Sequence, residues 1–126
     1  MSQTAKLFLA LGGLNAALAV ILGAFGAHAL KARIPAEMLA VYQTGVQYHF
    51  YHALGLVLVG LAILQLPDSI ILKWSGGLML AGIVLFSGSL YGLSLGELRW
   101  LGAVTPFGGA AFIAAWVVFV VGVVRA

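Results

Sequence analysis

The sequence predicts an all-α protein: an integral membrane four-helix bundle with a short interfacial helix before the second span. Three observations predict it. Four long apolar stretches, Leu7–Ala27, His49–Leu66, Trp74–Leu95 and Pro106–Val124, account for most of the 126 residues. Each has about the 20 residues a helix needs to cross roughly 30 Å of hydrocarbon. Only 7% of the residues are charged, and none of those charges falls well inside a stretch. Hydrophobic residues reach 63% and mean hydropathy +1.16, more apolar surface than a small soluble fold hides from water. At this length one four-span domain, residues 1–126, is expected.

The first stretch imitates a secretory signal: Lys6 precedes the apolar run, and Ala27-His28-Ala29 offers an A-x-A site. The run is longer than a usual signal core, so it reads as the first transmembrane helix, ending near Leu30. Ile34-Pro35 then restarts a helix, with Glu37 in a first turn that favours a negative charge. Ala36–Tyr48 mixes Met38, Leu39, Val41, Tyr42 and Val46 with Gln43, Thr44 and Gln47. That pattern predicts an amphipathic interfacial segment, with Gly45 as a bend before the second span. Pro67-Asp68-Ser69 is a turn signal, and Lys73-Trp74 marks the next interface. Glu97, Arg99 and Trp100 form the last hinge. Thr105-Pro106 starts the fourth helix, with the hydroxyl as N-cap.

An even number of spans places both termini on one side. Lys6, Lys73 and Arg125 fall on that side and Lys31, Arg33 and Arg99 on the other, so the positive-inside rule is balanced. The net charge is +3, but these cations stand singly at helix ends. They read as lipid-headgroup anchors, not as a nucleic-acid surface. There is no cysteine, so thiolate chemistry is excluded.

Seventeen glycines predict close helix packing, because lipid gives helices no hydrophobic reason to associate. Gly88, Gly92 and Gly96 repeat at four-residue spacing and read as a structural row facing another helix. Helix one offers Gly12/Ala16, Gly13/Ala17, Ala19/Gly23 and Gly23/Ala27. Asn15, near the middle of that helix, needs a partner for its amide, with Ser87, Ser89 or a freed carbonyl in view.

Taking the second span to start at His49, topology brings His28, Tyr48, His49, His52, Glu97, Arg99 and Thr105 to one membrane face. His49 and His52 are three apart and share a helix side. Imidazoles beside a carboxylate can relay protons or hold a divalent metal. Two histidines at this spacing are a weak metal signal, and interfacial histidines more often hydrogen-bond a neighbouring helix or sit in headgroup water. No metal site is assigned, and no cofactor can be named. No H-E-x-x-H, G-x-S-x-G or phosphate-binding Gly loop occurs.

Gly23-Ala24-Phe25-Gly26-Ala27-His28, Tyr48-His49-Phe50-Tyr51-His52-Ala53-Leu54, Phe86-Ser87-Gly88-Ser89-Leu90-Tyr91 and Thr105-Pro106-Phe107-Gly108-Gly109, with Phe112 and Trp116, follow one another in order. This set resembles the YgdD/YwdK-like family of small bacterial membrane proteins, domain of unknown function four-two-three, to which an uncharacterised human transmembrane protein is similar. The resemblance implies a four-span, multi-pass protein of the bacterial inner (plasma) membrane and carries no activity with it. The expected role is non-enzymatic: binding a partner membrane protein or a small amphiphile such as a lipid or quinone. Membrane lipid and a homo-oligomer are the other expected partners. The rival is a proton- or metal-handling protein built on the histidines.

Overall fold

A computed structural model describes residues 1–126. The chain is all-helical. Four helices are long and apolar enough to cross a membrane: α1 (Gln3–His28), α2 (Ala36–Gln65), α3 (Ile70–Gly96) and α4 (Thr105–Val124). Short 3-10 turns at Leu30–Ala32 and Arg99–Ala103 carry the first and last hinges. Ser2 caps α1 by accepting from the Ala5 N–H, and Ser69 caps α3 by accepting from the Leu72 N–H. The chain ends meet at one end of the bundle. Arg125 and Ala126 border the Pro67–Ser69 turn, and Ala5 shares a core with Ile63 and Leu72.

The helix expected before the second span is present, but it runs into that span without a break. α2 is one element of 30 residues, about 45 Å long and longer than the hydrocarbon core. Gly45 makes no bend. It is buried, and a methyl group there would come within 3.0 Å of the Tyr91 ring. Its role is contact with α3, while Glu37, Gln43 and Gln47 of the same stretch stay exposed.

The four helices are not equivalent. In their most apolar windows α2 and α3 are 44% and 39% buried, against 17% for α1 and 22% for α4. α2 and α3 form the centre. α1 packs chiefly on α2, and α4 chiefly on α3. The seam of α1 is a seven-residue repeat of small buried residues, Ala5, Gly12, Ala19 and Gly26, the period of left-handed helix pairing. At Gly12 a methyl would lie 2.8 Å from the Ala53 carbonyl oxygen, so the two backbones nearly touch. Tyr42 fills the space left by Gly26 and donates its hydroxyl hydrogen to the Leu22 carbonyl.

The expected Gly88/Gly92/Gly96 seam does not form. Gly88 and Gly96 are exposed; a methyl at Gly88 would meet only its own helix at 3.9 Å. Gly92 faces Leu101 and Gly96 faces Leu98, both from the hinge. The cause lies upstream. Ile83–Ser87 is a π-helical segment, and its wider turn rotates the register of everything after it. The face toward the other helices then carries Ser87, Ser89, Leu90 and Ser94. The tight glycines of this half of the molecule are Gly82, filled by the Phe112 ring, and Gly108. A methyl at Gly108 would stand 2.6 Å from the Phe86 Cα, so α4 lies directly on the π segment. Thr105 is not an N-cap either. Its hydroxyl donates to the Leu101 carbonyl and meets Ser89 Oγ at 2.6 Å. The Val104 carbonyl accepts from the Phe107 and Gly108 N–H groups at the start of α4.

Candidate functional site

Hydrocarbon leaves no polar side chain free, because an unpaired group there costs several kcal/mol. Every buried side-chain nitrogen and oxygen in this chain has a partner. Those partners define two sites, one on each flank of α2.

The first centres on His49, 2% exposed. Asn15 Nδ2 donates to the Leu11 carbonyl at 2.8 Å, which aims Oδ1 at His49 Nε2, 2.9 Å away. Because Oδ1 only accepts, Nε2 carries the ring proton. Nδ1 then accepts from the Tyr91 hydroxyl at 2.8 Å. A single chain, Tyr91 to His49 to Asn15 to Leu11, therefore ties α3, α2 and α1 together. The Ser87 hydroxyl adds a bond to the Gly45 carbonyl at 2.8 Å. The amide of Asn15 thus finds its partner in a histidine, not in Ser87, Ser89 or a carbonyl alone.

The second centres on His52, 4% exposed. Trp116 Nε1–H has no choice but to donate, and it does so to His52 Nε2 at 3.0 Å. Nδ1 must then hold the ring proton, which it donates to the Tyr48 carbonyl at 2.7 Å. The imidazole lies flat on the Phe112 ring, with centroids 3.5 Å apart and planes 8° off parallel. The two histidines, three residues apart, hold opposite tautomers. Beside His52 a groove of about 500 Å³ opens sideways between α2, α3 and α4. Tyr48, Phe86, Phe112 and Trp116 wall it, and Tyr51 stands at its edge. Phe86 belongs to the π segment, a kind of local distortion often found at functional sites.

The expected single face of histidines separates into two levels. His49 lies thirteen residues into α2, about 20 Å from the start of that helix. It and His52 therefore lie near the middle of α2, level with Asn15, and not at the start of a helix. The physical reason is the unbroken α2, which begins at Ala36 and not at His49. His28 is exposed at the far end of α1, thirteen residues beyond Asn15, again about 20 Å. No group of three or more His, Asp or Glu side chains converges to hold a metal. His49 and His52 spend their nitrogens on different partners, so they cannot share a ligand.

Glu97 and Arg99 stay at the hinge, where they line a polar rim pocket with Glu37. Glu97 adopts the left-handed conformation (φ 54°, ψ 30°), and its N–H closes the end of α3 on the Gly92 carbonyl. A side chain in that conformation costs about 1–2 kcal/mol.

Tyr91, Phe112 and Trp116 are the residues whose site roles the sequence reading did not assign. A signal for them was present: an indole and an imidazole inside apolar helices each require a partner.

Four spanning helices joined by short hinges, with polar side chains paired inside, define a small multi-pass membrane protein. Residues 22–109 match the family described as "Protein of unknown function (DUF423)", and the chain belongs to that family. It is 54% identical over 120 residues to the UPF0382 membrane protein YwdK of Bacillus subtilis, covering 95% of this chain and 98% of the relative. It is 47% identical over 117 residues to the UPF0382 membrane protein SSP2132 of Staphylococcus saprophyticus, covering 93% and 96%. No solved structure matches the chain.

Proposed function

We propose that this protein is a non-enzymatic binding protein of the bacterial inner membrane that holds a small amphiphile, a lipid or a quinone, in the groove beside His52. The observation that carries this reading is the groove itself. It is lined mainly by aromatic rings, opens on the side of the bundle near the middle of α2, and has the volume of an ordinary small-molecule pocket. A partner membrane protein would need a broad complementary face. The groove holds about 500 Å³ and is walled by three helices, which favours a small occupant. A proton- or metal-handling role loses its main support once the three histidines stand apart.

Native mass spectrometry of protein extracted from membranes tests the reading. Gly109 borders the groove, and a methyl there meets nothing nearer than the Phe86 ring at 3.9 Å. Gly109→Leu therefore sends a side chain into the groove from a position where the Cβ makes no close contact. The parent should retain an amphiphile that this variant lacks. Identical spectra from the two proteins would end the proposal.

A further inference from the structure

We propose that the groove takes a neutral, planar ring bearing carbonyl oxygens, the quinone class of amphiphile; this rests on the amphiphile reading above. Three features of the lining select that chemistry. The first is charge. No Lys, Arg, Asp or Glu lines the groove, so a phosphate or ammonium head would give up its hydration for no counter-charge. Phospholipid heads are disfavoured on that ground.

The second is shape. Tyr48, Phe86, Phe112 and Trp116 present ring faces and edges to the groove. The Phe86 ring lies 4.9 Å from that of Tyr48 and 5.5 Å from that of Phe112, centroid to centroid. Such walls favour a flat ring in offset or edge-to-face contact. The stacking of His52 on Phe112 shows that this lining already accepts one flat heterocycle.

The third is hydrogen-bond sense. Both His52 nitrogens and the Trp116 N–H are spent within the protein. Tyr51, at the groove edge, accepts from Gln47 Nε2, which stands on the α1 side, so the Tyr51 hydroxyl proton remains to be given elsewhere. The Tyr48 side chain also lines the groove, is 38% exposed, and carries a hydroxyl with no partner inside the protein. Both hydroxyls can donate, and the group on a neutral flat ring that accepts from them is a carbonyl oxygen.

The experiment uses the full chain in lipid nanodiscs. Of its three tryptophans, only Trp116 lines the groove. Trp74→Phe combined with Trp100→Phe leaves it as the sole indole. The probes are a naphthoquinone and a benzoquinone carrying the same short isoprenoid tail, with dioleoylglycerol and phosphatidylglycerol as competitors. The expected result is saturable quenching of Trp116 by at least one quinone, abolished by Gly109→Leu. Tyr51→Phe, which keeps the ring and removes the donor, should weaken binding about fivefold, the value of one neutral hydrogen bond. Quenching that does not saturate, or that survives Gly109→Leu, overturns the proposal. If dioleoylglycerol is retained in a Gly109-dependent way while neither quinone binds, the ring class is wrong and the amphiphile reading survives. If no amphiphile responds to Gly109→Leu, both fall together.

Discussion

The two flanks of α2 use the same residue type for opposite ends. On the α1 flank, His49 is closed in. Each ring nitrogen meets a side chain from another helix, and the chain of bonds ends on a backbone carbonyl. On the α4 flank, His52 has one partner on its own helix and one across the bundle, and its stacked ring borders open space. Contacts between α2 and α4 are otherwise few. A closed network holds helices in register; a half-open one can receive something. The partners also differ in what they tolerate. Tyr91 and Asn15 both offer oxygens, so His49 could carry a proton on each nitrogen without losing either bond. Trp116 can only donate, so it permits His52 a single state. The room to change charge thus lies with His49 and the room to bind with His52, which alone of the two borders open space.

The sharpest way to break this comparison is at Gly108. The His52 groove exists because α4 sits on the π segment of α3, with no room for a side chain between the backbones. Gly108→Ala should destabilise the protein by about 3 kcal/mol, the upper part of the range for overpacking. Gly88→Ala, on an exposed surface, should stay within about 0.5 kcal/mol of the parent. Unfolding in mixed detergent micelles measures both. Equal effects would mean that the α3–α4 contact, and with it the groove, is misplaced.

The next effect tests the closed flank. Asn15→Leu leaves the His49 Nε2–H without its acceptor and should cost about 1–2 kcal/mol. His49→Phe removes the donor and the need for it. In the double variant the cost should be clearly less than the sum of the two singles. Additive costs would show that Asn15 and His49 are not paired and would erase the distinction between the flanks.

Much of the fold was legible in the sequence, for a physical reason. Hydrocarbon thickness fixes span length, so apolar runs and their interfacial ends locate four helices and put both termini on one side. The demand for internal hydrogen bonding singled out Asn15 as a residue needing a partner, while His49 and His52 were legible only as polar residues of one face. Continuity was not legible. Ala36–Tyr48 mixes exposed polar residues, Gln43 and Gln47, with bundle contacts at Tyr42 and Gly45, and nothing in that mixture announces that the helix runs unbroken into the span. The glycine row in α3 misled for a related reason. Four-residue spacing identifies a face only while the helix keeps its pitch, and nothing in Ile83–Ser87 announces a π turn. The Phe112–Trp116 pair, four apart on α4, carried a readable signal of one shared face. Its target on α2 depended on knowing which helices touch.

The smallest expected effect is at Trp116, and it separates the flanks most directly. Trp116→Phe keeps an aromatic wall and deletes one hydrogen bond between α2 and α4. Single interhelical bonds in membranes average about 0.6 kcal/mol, so stability should fall by about that much, less than for Asn15→Leu. The spectroscopic consequence is larger than the energetic one. In the parent, nitrogen-15 NMR of labelled histidine should find His52 protonated at Nδ1 and His49 at Nε2, since their partners dictate opposite tautomers. In Trp116→Phe, the His52 Nε2 resonance should move as its donor disappears, while both His49 resonances stay in place. Identical tautomers at the two positions in the parent would contradict the hydrogen-bond assignment itself. Movement of the His49 signals along with those of His52 would show the two flanks to be one coupled network, and the functional division drawn across α2 would have no basis.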